Sequence, residues 1–600
     1  MVKVNLKAIP YCLSDEDIAW VEQTIAAMTD EEKVGQLFFE NRGQSTDEAL
    51  IELVQKYHIG GYRYNGIKAD VVQHNIRVLQ ENSKIPLFVA CNTESGGNGS
   101  ATDGTYLASG IKIAATDQVK YAYEMGRLGN EEAATMGNNM AFAPVCDIHC
   151  NWENTEIVSR AFGSDTDRVA AMSKAYMDGV HAVPGYASVA KHWPGNGQDF
   201  RDAHLSNNIN NCTREEWMAT YGKVYKTLID GGLDGVMGGH IMLPNYMREL
   251  YGTKDEDMMP ATLCYELMTD LLRNQLGFNG FVVTDATHMV GFEDRMTRRE
   301  AVAATINAGC DMFLFFNDPD EDFGFMLDAY RTGVISEERM TDALRRILGL
   351  KAKMGLNKKA REELTPPPEA LAGVGDKKYT EFAAQVARDA ITLVKYKDEG
   401  VLPITPEKYK KVMIVYVKGA ETGMTQLMKF AFGAGAAKNP AQTLCEMLNA
   451  RGFEAFVYES PMDKAAKLMK EGKKLDFMDM YRMGKASVAA FQEQQDLVIT
   501  LFDVSSGRPA FGMSKGGGEI PWYVHDMPTI GISVNAPTML ADVPMLRTYI
   551  NAYDAKPYTM DALVDKLMTG PEAFTGKDPI DSFCGLWDTR IWPPCPAAGL

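Results

Sequence analysis

The chain has 600 residues, 46% of them hydrophobic and 24% charged, and a formal net charge of -19. This composition excludes an intrinsically disordered chain, and the length predicts at least two domains. The negative charge, with no basic stripe to offset it, argues against nucleic acid or an anionic membrane as a partner. Ten scattered cysteines, and an N-terminus without the apolar core of a signal peptide, favour a cytoplasmic protein with reduced thiols.

The first 350 residues alternate short apolar runs with amphipathic segments. The apolar runs predict eight strands, at 34–40, 59–65, 86–92, 140–148, 186–192, 235–241, 280–285 and 312–316. Helices are predicted between them at 70–82, 117–136, 167–181, 214–229, 263–276 and 298–308. Strands buried on both faces that alternate with helices need parallel neighbours. We therefore predict an N-terminal (β/α)8 barrel, with an open doubly wound sheet as the alternative.

A proline-rich linker follows the last barrel helix, which is predicted at about 337–354. Three consecutive prolines in 364–369 stiffen the chain and indicate a connector. After a helix at about 379–390 come predicted strands at 412–417, 455–458, 497–502, 529–534 and 548–552, with helices at 444–451, 465–473, 478–494 and 560–568. We predict a barrel domain over 1–362, a linker with its lead-in helix over 363–384, and a smaller α/β sandwich domain over 385–600.

Polar side chains follow five consecutive predicted barrel strands. In chain order they are Asn92 and Glu94, Asp147 with Arg160 in its loop, Lys191 and His192, His240, and Asp285. The carboxyl ends of barrel strands meet over one mouth, so we expect a functional site there. The second domain shows no glycine-rich phosphate-binding fingerprint, and the Cys146 to Cys150 segment lacks the second ligand pair of a structural zinc site. We expect no cofactor and no metal.

The loop after the fifth strand carries a candidate proton-transfer pair. Pro194 and Gly195 end the strand, and Asp202 and His204 follow two residues apart. In a turning segment this spacing lets the carboxylate meet the imidazole and fix its tautomer, although such residues alone are more often solvated. Asp285, closing the seventh strand, is either a nucleophile or the N-cap of the next helix.

Several long motifs occur in one order on this predicted fold. They are Lys191-His-Trp-Pro-Gly195, Asp202-Ala-His204, Arg160-Ala-Phe-Gly-Ser-Asp165, Met237-Gly-Gly-His240, and Pro260-Ala-Thr-Leu263 continuing to Leu276-Gly-Phe-Asn-Gly-Phe-Val-Val-Thr-Asp285. Together they resemble glycoside hydrolase family 3, nearest to its β-N-acetylhexosaminidase branch. The resemblance covers nearly all of the first domain. The second domain resembles the family's α/β sandwich and opens at Ala390-Ile-Thr-Leu-Val-Lys395.

The resemblance implies a retaining mechanism with a covalent glycosyl-enzyme intermediate. By similarity Asp285 is the nucleophile, and His204 is the acid/base catalyst with Asp202 as its partner. Most retaining glycosidases use two carboxylates, but an imidazole can also protonate a leaving oxygen and then deprotonate water. The family's sugar-binding lysine, histidine and arginine correspond to Lys191, His192 and Arg160, so the resemblance implies that these three residues bind the substrate.

One stretch departs from the family pattern. Many relatives have an aspartate followed by Gln-Glu-Gly-Gly-Arg, where this chain has Asn92-Thr-Glu-Ser-Gly-Gly-Asn98. Asn92 can still bind a hydroxyl, so we keep Asn92 and Glu94 as substrate-binding candidates. Because this arginine is missing, the sequence gives less support to a substrate with an acidic aglycone. Asp147 and His240 are expected to orient the lysine and nearby loops, and His240 is counted with the binding residues.

The function predicted is an exo-acting β-N-acetylglucosaminidase that hydrolyses small glycosides. A phosphorylase is an alternative, since a histidine acid/base would not repel phosphate as a carboxylate does. A β-glucosidase and a non-catalytic carbohydrate-binding protein are the others. A homodimer is left open.

Overall fold

The computed structural model describes residues 3–398, 400–419, 439–459, 467–472, 487–505 and 523–581. Contacts divide the chain into two compact units. The first comprises Met1–Gly110, Gln118–His149 and Arg160–Ala383. The second comprises Ile111–Asp117, Cys150–Ser159 and Ala384–Leu600.

Eight strands close into a parallel barrel in the first unit. They are β1 Phe38–Asn41, β2 Gly61–Arg63, β3 Phe88–Cys91, β4 Met140–Ala141, β5 Ala187–Trp193, β7 Gly235–Gly238, β9 Phe281–Ala286 and β10 Met312–Leu314, while β6 Asn208–Ile209 and β8 Ile241–Met242 form a separate two-stranded ladder. β1 pairs with both β2 and β10, which closes the ring. The predicted barrel is confirmed, and the open doubly wound alternative is wrong.

Helices surround the barrel strands. Their bounds are Asp15–Ala27, Asp30–Gly35, Asp47–Lys56, Ala69–Asn82, Val119–Ala134, Thr166–His181, Arg214–Ala219, Tyr221–Asp230, Pro244–Tyr251, Val290–Glu293, Arg298–Ala308, Pro319–Arg331 and Glu337–Lys353, with a π-helix at Glu266–Gln275. Two further helices, Gly110–Ala115 and Lys377–Ala390, include residues of both units. Three local predictions were wrong. The strand predicted at 140–148 extends only over Met140–Ala141. Val34 belongs to a helix, because Thr29 and Glu32 form a capping box at its start. The helix predicted over 214–229 is broken at Thr220, whose ψ of -94° is not helical.

Aromatic rings fill the barrel interior below the mouth. Phe39 lies 6.3 Å from Phe88 and 5.6 Å from Phe142 between ring centroids, and Phe88 lies 5.8 Å from Phe281. Successive side chains along a strand point to opposite faces, so every second residue shares a face. Asp285 follows Phe281 by four positions on β9 and therefore faces the interior at the carboxyl end of the strand.

A buried lysine lies at the amino-terminal end of the barrel. Lys351, on the helix Glu337–Lys353, donates a hydrogen bond to Gln36 Oε1 at 2.7 Å, and Gln36 precedes β1. Its ammonium nitrogen is 5.0 Å from the centroid of the Phe88 ring. Burial lowers the pKa of Lys351 well below its ordinary value of 10.5.

Replacing Lys351 with methionine is expected to make stability less dependent on pH. The unfolded chain binds this proton up to about pH 10.5, whereas the folded chain releases it at lower pH, so wild-type stability rises with pH between the two pKa values. Over that window the wild type should gain up to about 1.4 kcal/mol per pH unit relative to Lys351→Met. Thermal midpoints measured at a series of pH values below 10.5, with exposed Lys3→Met as control, measure this gain. A constant difference would contradict it.

In the second unit, the described residues form a six-stranded sheet with the order β11-β16-β15-β14-β12-β13. The strands are β11 Thr392–Tyr396, β12 Lys411–Lys418, β13 Glu454–Val457, β14 Leu497–Asp503, β15 Thr529–Ser533 and β16 Thr548–Asn551, and the helices include Pro440–Ala450, Val488–Gln494 and Pro557–Thr569. Only β11 is antiparallel to its neighbour.

Both faces of this sheet are buried. Along β12, Val412 and Ile414 belong to one apolar cluster, and Met413 and Val415 belong to another. The predicted α/β sandwich is therefore confirmed. The helices predicted at 465–473 and 478–494 are described only over 467–472 and 487–494, and the second contains the helix Val488–Gln494. The rest of both predictions lies outside the described residues. Within the part of the chain that is described, no helix combines the length and apolarity needed to cross a membrane.

Candidate active site

Strand β5 carries Lys191 and His192 to the mouth of the barrel and then turns away. Trp193, the last residue of the strand, is fully buried. The turn depends on Gly195, which has a φ of +121°, and a Cβ there would lie 2.1 Å from the ring of Tyr221. Glycine alone suits this close approach, which explains why it follows the Trp-Pro pair.

Glu94 joins two cations at the mouth. Its carboxylate accepts hydrogen bonds from Arg160 at 2.8 Å to each oxygen, and lies 2.5 Å from Lys191 Nζ. Lys191 also donates to Asn92 Oδ1 at 3.3 Å. Burial raises the pKa of Glu94, but the two cations outweigh it and hold the pKa well below its usual range. Glu94 is therefore ionised and fixes both cationic side chains.

Asp147 orients His192 from below. Asp147 Oδ2 lies 2.7 Å from His192 Nδ1, and Oδ1 accepts from the backbone N–H groups of His192 and Asn196. The proton is thus directed to Nδ1, leaving Nε2 at 3.4 Å from Arg160 and 4.0 Å from Asp285 Oδ2. Asp147 therefore orients the histidine and not, as predicted, the neighbouring lysine.

Asp285 ends β9 with its carboxylate partly accessible. Its side chain is 18% exposed, and Oδ1 accepts a hydrogen bond from the Ala286 N–H at 2.7 Å. Burial raises the pKa of Asp285, but the nearby His192 and His240, with this N–H, lower it overall. The next helix begins at Val290, so Asp285 is not its N-cap. An ionised, oriented carboxylate is available to attack a bound ligand.

The loop after β5 forms a flap that carries Asp202 and His204. His204 Nδ1 lies 2.7 Å from Asp202 Oδ1, which also accepts from the His204 backbone N–H at 2.9 Å. Burial raises the pKa of Asp202, but these two hydrogen bonds lower it overall. The flap is joined to the loop after β9, because Gly291 N–H donates to the Ala203 carbonyl and Val290 N–H to that of His204.

His240 supports the backbone beside Asp285. Its Nδ1 lies 2.9 Å from Thr262 Oγ1, and its Nε2 lies 3.1 Å from the carbonyl oxygen of Ala286. Burial lowers the pKa of His240 to about 4, so the ring is neutral at pH 7. Both ring nitrogens are engaged within the protein.

The structure brings six predicted residues into one chain of contacts: Asn92, Lys191, Glu94, Arg160, His192 and Asp285. Backbone hydrogen bonds join the loop with the Asp202–His204 pair to Val290 and Gly291, in the segment that follows β9. Sequence reasoning missed Arg63, which ends β2 at the same mouth. The available signal was an arginine closing an apolar run.

These features define a class of enzyme. A barrel mouth holds an ionised carboxylate, a carboxylate-histidine pair on a flap, and hydrogen-bonding groups suited to sugar hydroxyls, which is the equipment of a glycoside hydrolase. The model for "Glycosyl hydrolase family 3 N terminal domain" matches residues 29–350. The chain belongs to glycosyl hydrolase family 3.

Relatives of this chain cover its whole length. A "Beta-N-acetylglucosaminidase/beta-glucosidase" from Cellulomonas fimi is 36% identical over 595 residues, 98% of this chain and 100% of the relative. A solved "Beta-glucoside phosphorylase BglX" is 35% identical, covers 97% of this chain and 99% of its own, and has a TM-score of 0.85. A family 3 β-N-acetylglucosaminidase from Paenibacillus sp. str. FPU-7 shares the fold at 23% identity, with a TM-score of 0.72 over 93% of this chain and 99% of the other.

Proposed function

We propose that this protein is a retaining, exo-acting β-N-acetylglucosaminidase that hydrolyses terminal N-acetyl-β-glucosaminides. One observation carries the proposal: the ionised Asp285 carboxylate lies at the mouth end of β9, and the loop with the Asp202–His204 pair is hydrogen-bonded to Val290 and Gly291, in the segment that follows β9. The name of the Cellulomonas fimi relative supports the sugar. Since that name includes β-glucosidase, glucosides are expected as secondary substrates.

The reaction has two steps. An Asp285 oxygen bonds to the anomeric carbon while the bond from that carbon to the leaving oxygen breaks, and His204 gives its proton to that oxygen. A water oxygen then bonds to the same carbon, His204 accepts the water proton, and Asp285 leaves as a carboxylate. Asp202 holds the imidazole and stabilises its cationic form.

The remaining mouth residues hold the sugar. Lys191 and Arg160 donate hydrogen bonds to hydroxyl oxygens, and Glu94 both positions these cations and accepts from a hydroxyl. Asn92 and His192 are the other two residues proposed to bind the sugar. In this proposal His240 acts on the loop next to Asp285 rather than on the sugar.

Phosphorolysis is the second candidate, because the similar solved protein is a β-glucoside phosphorylase and the acid/base group is an imidazole. Phosphate would replace water in the second step and give a sugar 1-phosphate. A neutral or cationic imidazole does not repel that anion as a second carboxylate would.

Assaying the products with and without phosphate distinguishes the candidates. With 4-nitrophenyl N-acetyl-β-glucosaminide, we expect free N-acetylglucosamine at a rate that phosphate changes less than about twofold. A sugar 1-phosphate as the main product, formed at least about tenfold faster with phosphate, would replace hydrolysis by phosphorolysis. If neither product formed, both candidates would be contradicted.

A further inference from the structure

Arg63 is directed into the barrel mouth. On β2, Gly61 faces the interior, because a Cβ there would lie 2.3 Å from the Phe39 ring. Alternation along the strand places Arg63, two residues later, on the same face. Its backbone neighbours in register are Asn41 on β1 and Ala90 on β3. Arg63 thus ends its strand on the interior side, as Asp285 does on β9.

The surroundings of this guanidinium are partly apolar. It lies 5.9 Å from the centroid of the buried Phe315 ring. Burial lowers the pKa of Arg63, and the charges of Asp285 and Glu94 oppose that change, so all three groups share one electrostatic environment. The Glu94 carboxylate is already bonded to Arg160.

Arg63 differs from the buried arginines on the helices around the barrel. Arg273, Arg339 and Arg346 each bond to a buried carboxylate. Among the residues that the structure describes, no carboxylate or carbonyl oxygen accepts a hydrogen bond from the Arg63 guanidinium. A partly buried cation without an acceptor loses hydration free energy, and a bound ligand oxygen would restore the missing hydrogen bond.

We propose that Arg63 binds the carbonyl oxygen of the 2-acetamido group and so selects N-acetylated sugars. This inference rests on the proposed function. A guanidinium only donates hydrogen bonds and an amide carbonyl only accepts them, while the acetamido methyl group can pack on Phe315. The anomeric carbon must contact Asp285, and C2 is bonded to it, so an arginine on the interior side at the same end of the closed barrel can reach the C2 substituent.

A role for Arg63 in binding phosphate is less consistent with its position. In a retaining mechanism the acceptor attacks the face of the sugar opposite the nucleophile. Arg63 and Asp285 both end barrel strands, whereas the acid/base histidine is on the flap. The acceptor side therefore belongs to the flap, and the strand ends contact the bound sugar.

The test compares two substrates that differ only at C2. The variant Arg63→Met keeps an unbranched apolar chain, and Arg42→Met, on the neighbouring arginine paired with Glu40, is the matched control. For 4-nitrophenyl N-acetyl-β-glucosaminide, kcat/KM should fall roughly 10- to 100-fold, the range of one hydrogen bond from a charged donor. For 4-nitrophenyl β-glucoside it should change less than about threefold, and Arg42→Met should keep the wild-type ratio.

Equal losses on both substrates, or no loss, would overturn the inference. Circular dichroism and thermal midpoints establish that the variant folds, and Arg63→Leu, which also lacks a donor, replaces it if it does not. If the wild type cleaves neither substrate, the proposed function falls on its own. Calorimetric binding of N-acetylglucosamine and glucose then decides the inference: Arg63→Met should lose the preference for the acetamido sugar, and an unchanged preference would refute it.

Discussion

Replacing Asp285 with alanine is expected to lower kcat/KM for an aryl N-acetyl-β-glucosaminide by about 10,000-fold or more. The variant lacks the oxygen that forms the bond to the anomeric carbon, and losing one member of a catalytic group commonly costs on the order of 10,000- to 1,000,000-fold. Binding should persist, because Lys191, Arg160 and Glu94 remain bonded to each other.

Initial rates and intact-protein mass spectrometry measure this result. A 2-deoxy-2-fluoro glycoside should add one sugar to the wild type and none to Asp285→Ala. Asp230→Asn, which removes an exposed carboxylate at the end of Tyr221–Asp230, should keep wild-type rates. Undiminished turnover in Asp285→Ala, or labelling on another residue, would remove the nucleophile from the proposal.

The second large effect is expected for His204→Ala, and it should depend on the leaving group. Natural disaccharides need a proton on the departing oxygen, so their kcat should fall roughly 100- to 10,000-fold. A 2,4-dinitrophenyl glycoside leaves without protonation and should lose less than about tenfold in its first step. Asp202→Asn should give smaller losses in the same order, because the histidine remains without its oriented carboxylate.

Substrates of graded leaving-group pKa measure this effect. The slope of log(kcat/KM) against that pKa should become steeper in His204→Ala than in the wild type. Leu205→Ala, an exposed neighbour on the same flap, controls for disturbance of the loop. Equal losses on every substrate would show that His204 supports the flap and is not the proton donor.

Local patterns in the sequence determined the fold class. Strands such as Phe281–Ala286 and Phe88–Cys91 are apolar on both faces, and the amphipathic segments between them have lengths that suit crossover helices. The sequence also placed Asp285 at a strand end and paired Asp202 with His204, because a two-residue spacing on one loop is a local property. The sequence determined the first and last residues of individual helices and strands less well. The helix at Asp30–Gly35 depends on side-chain caps that compete with strand propensity.

Only the tertiary structure decided which side chains act on which. Glu94 and Arg160 are 66 positions apart, and Asp147 and His192 are 45 apart, so no local pattern joins them. Arg63 could likewise not be related to Asp285 from the sequence, because only the closed barrel brings β2 and the strand of Asp285 to the same mouth. The physical reason is that periodicity records how a segment buries its own surface, whereas a site is made by strand ends from distant positions once the barrel has closed.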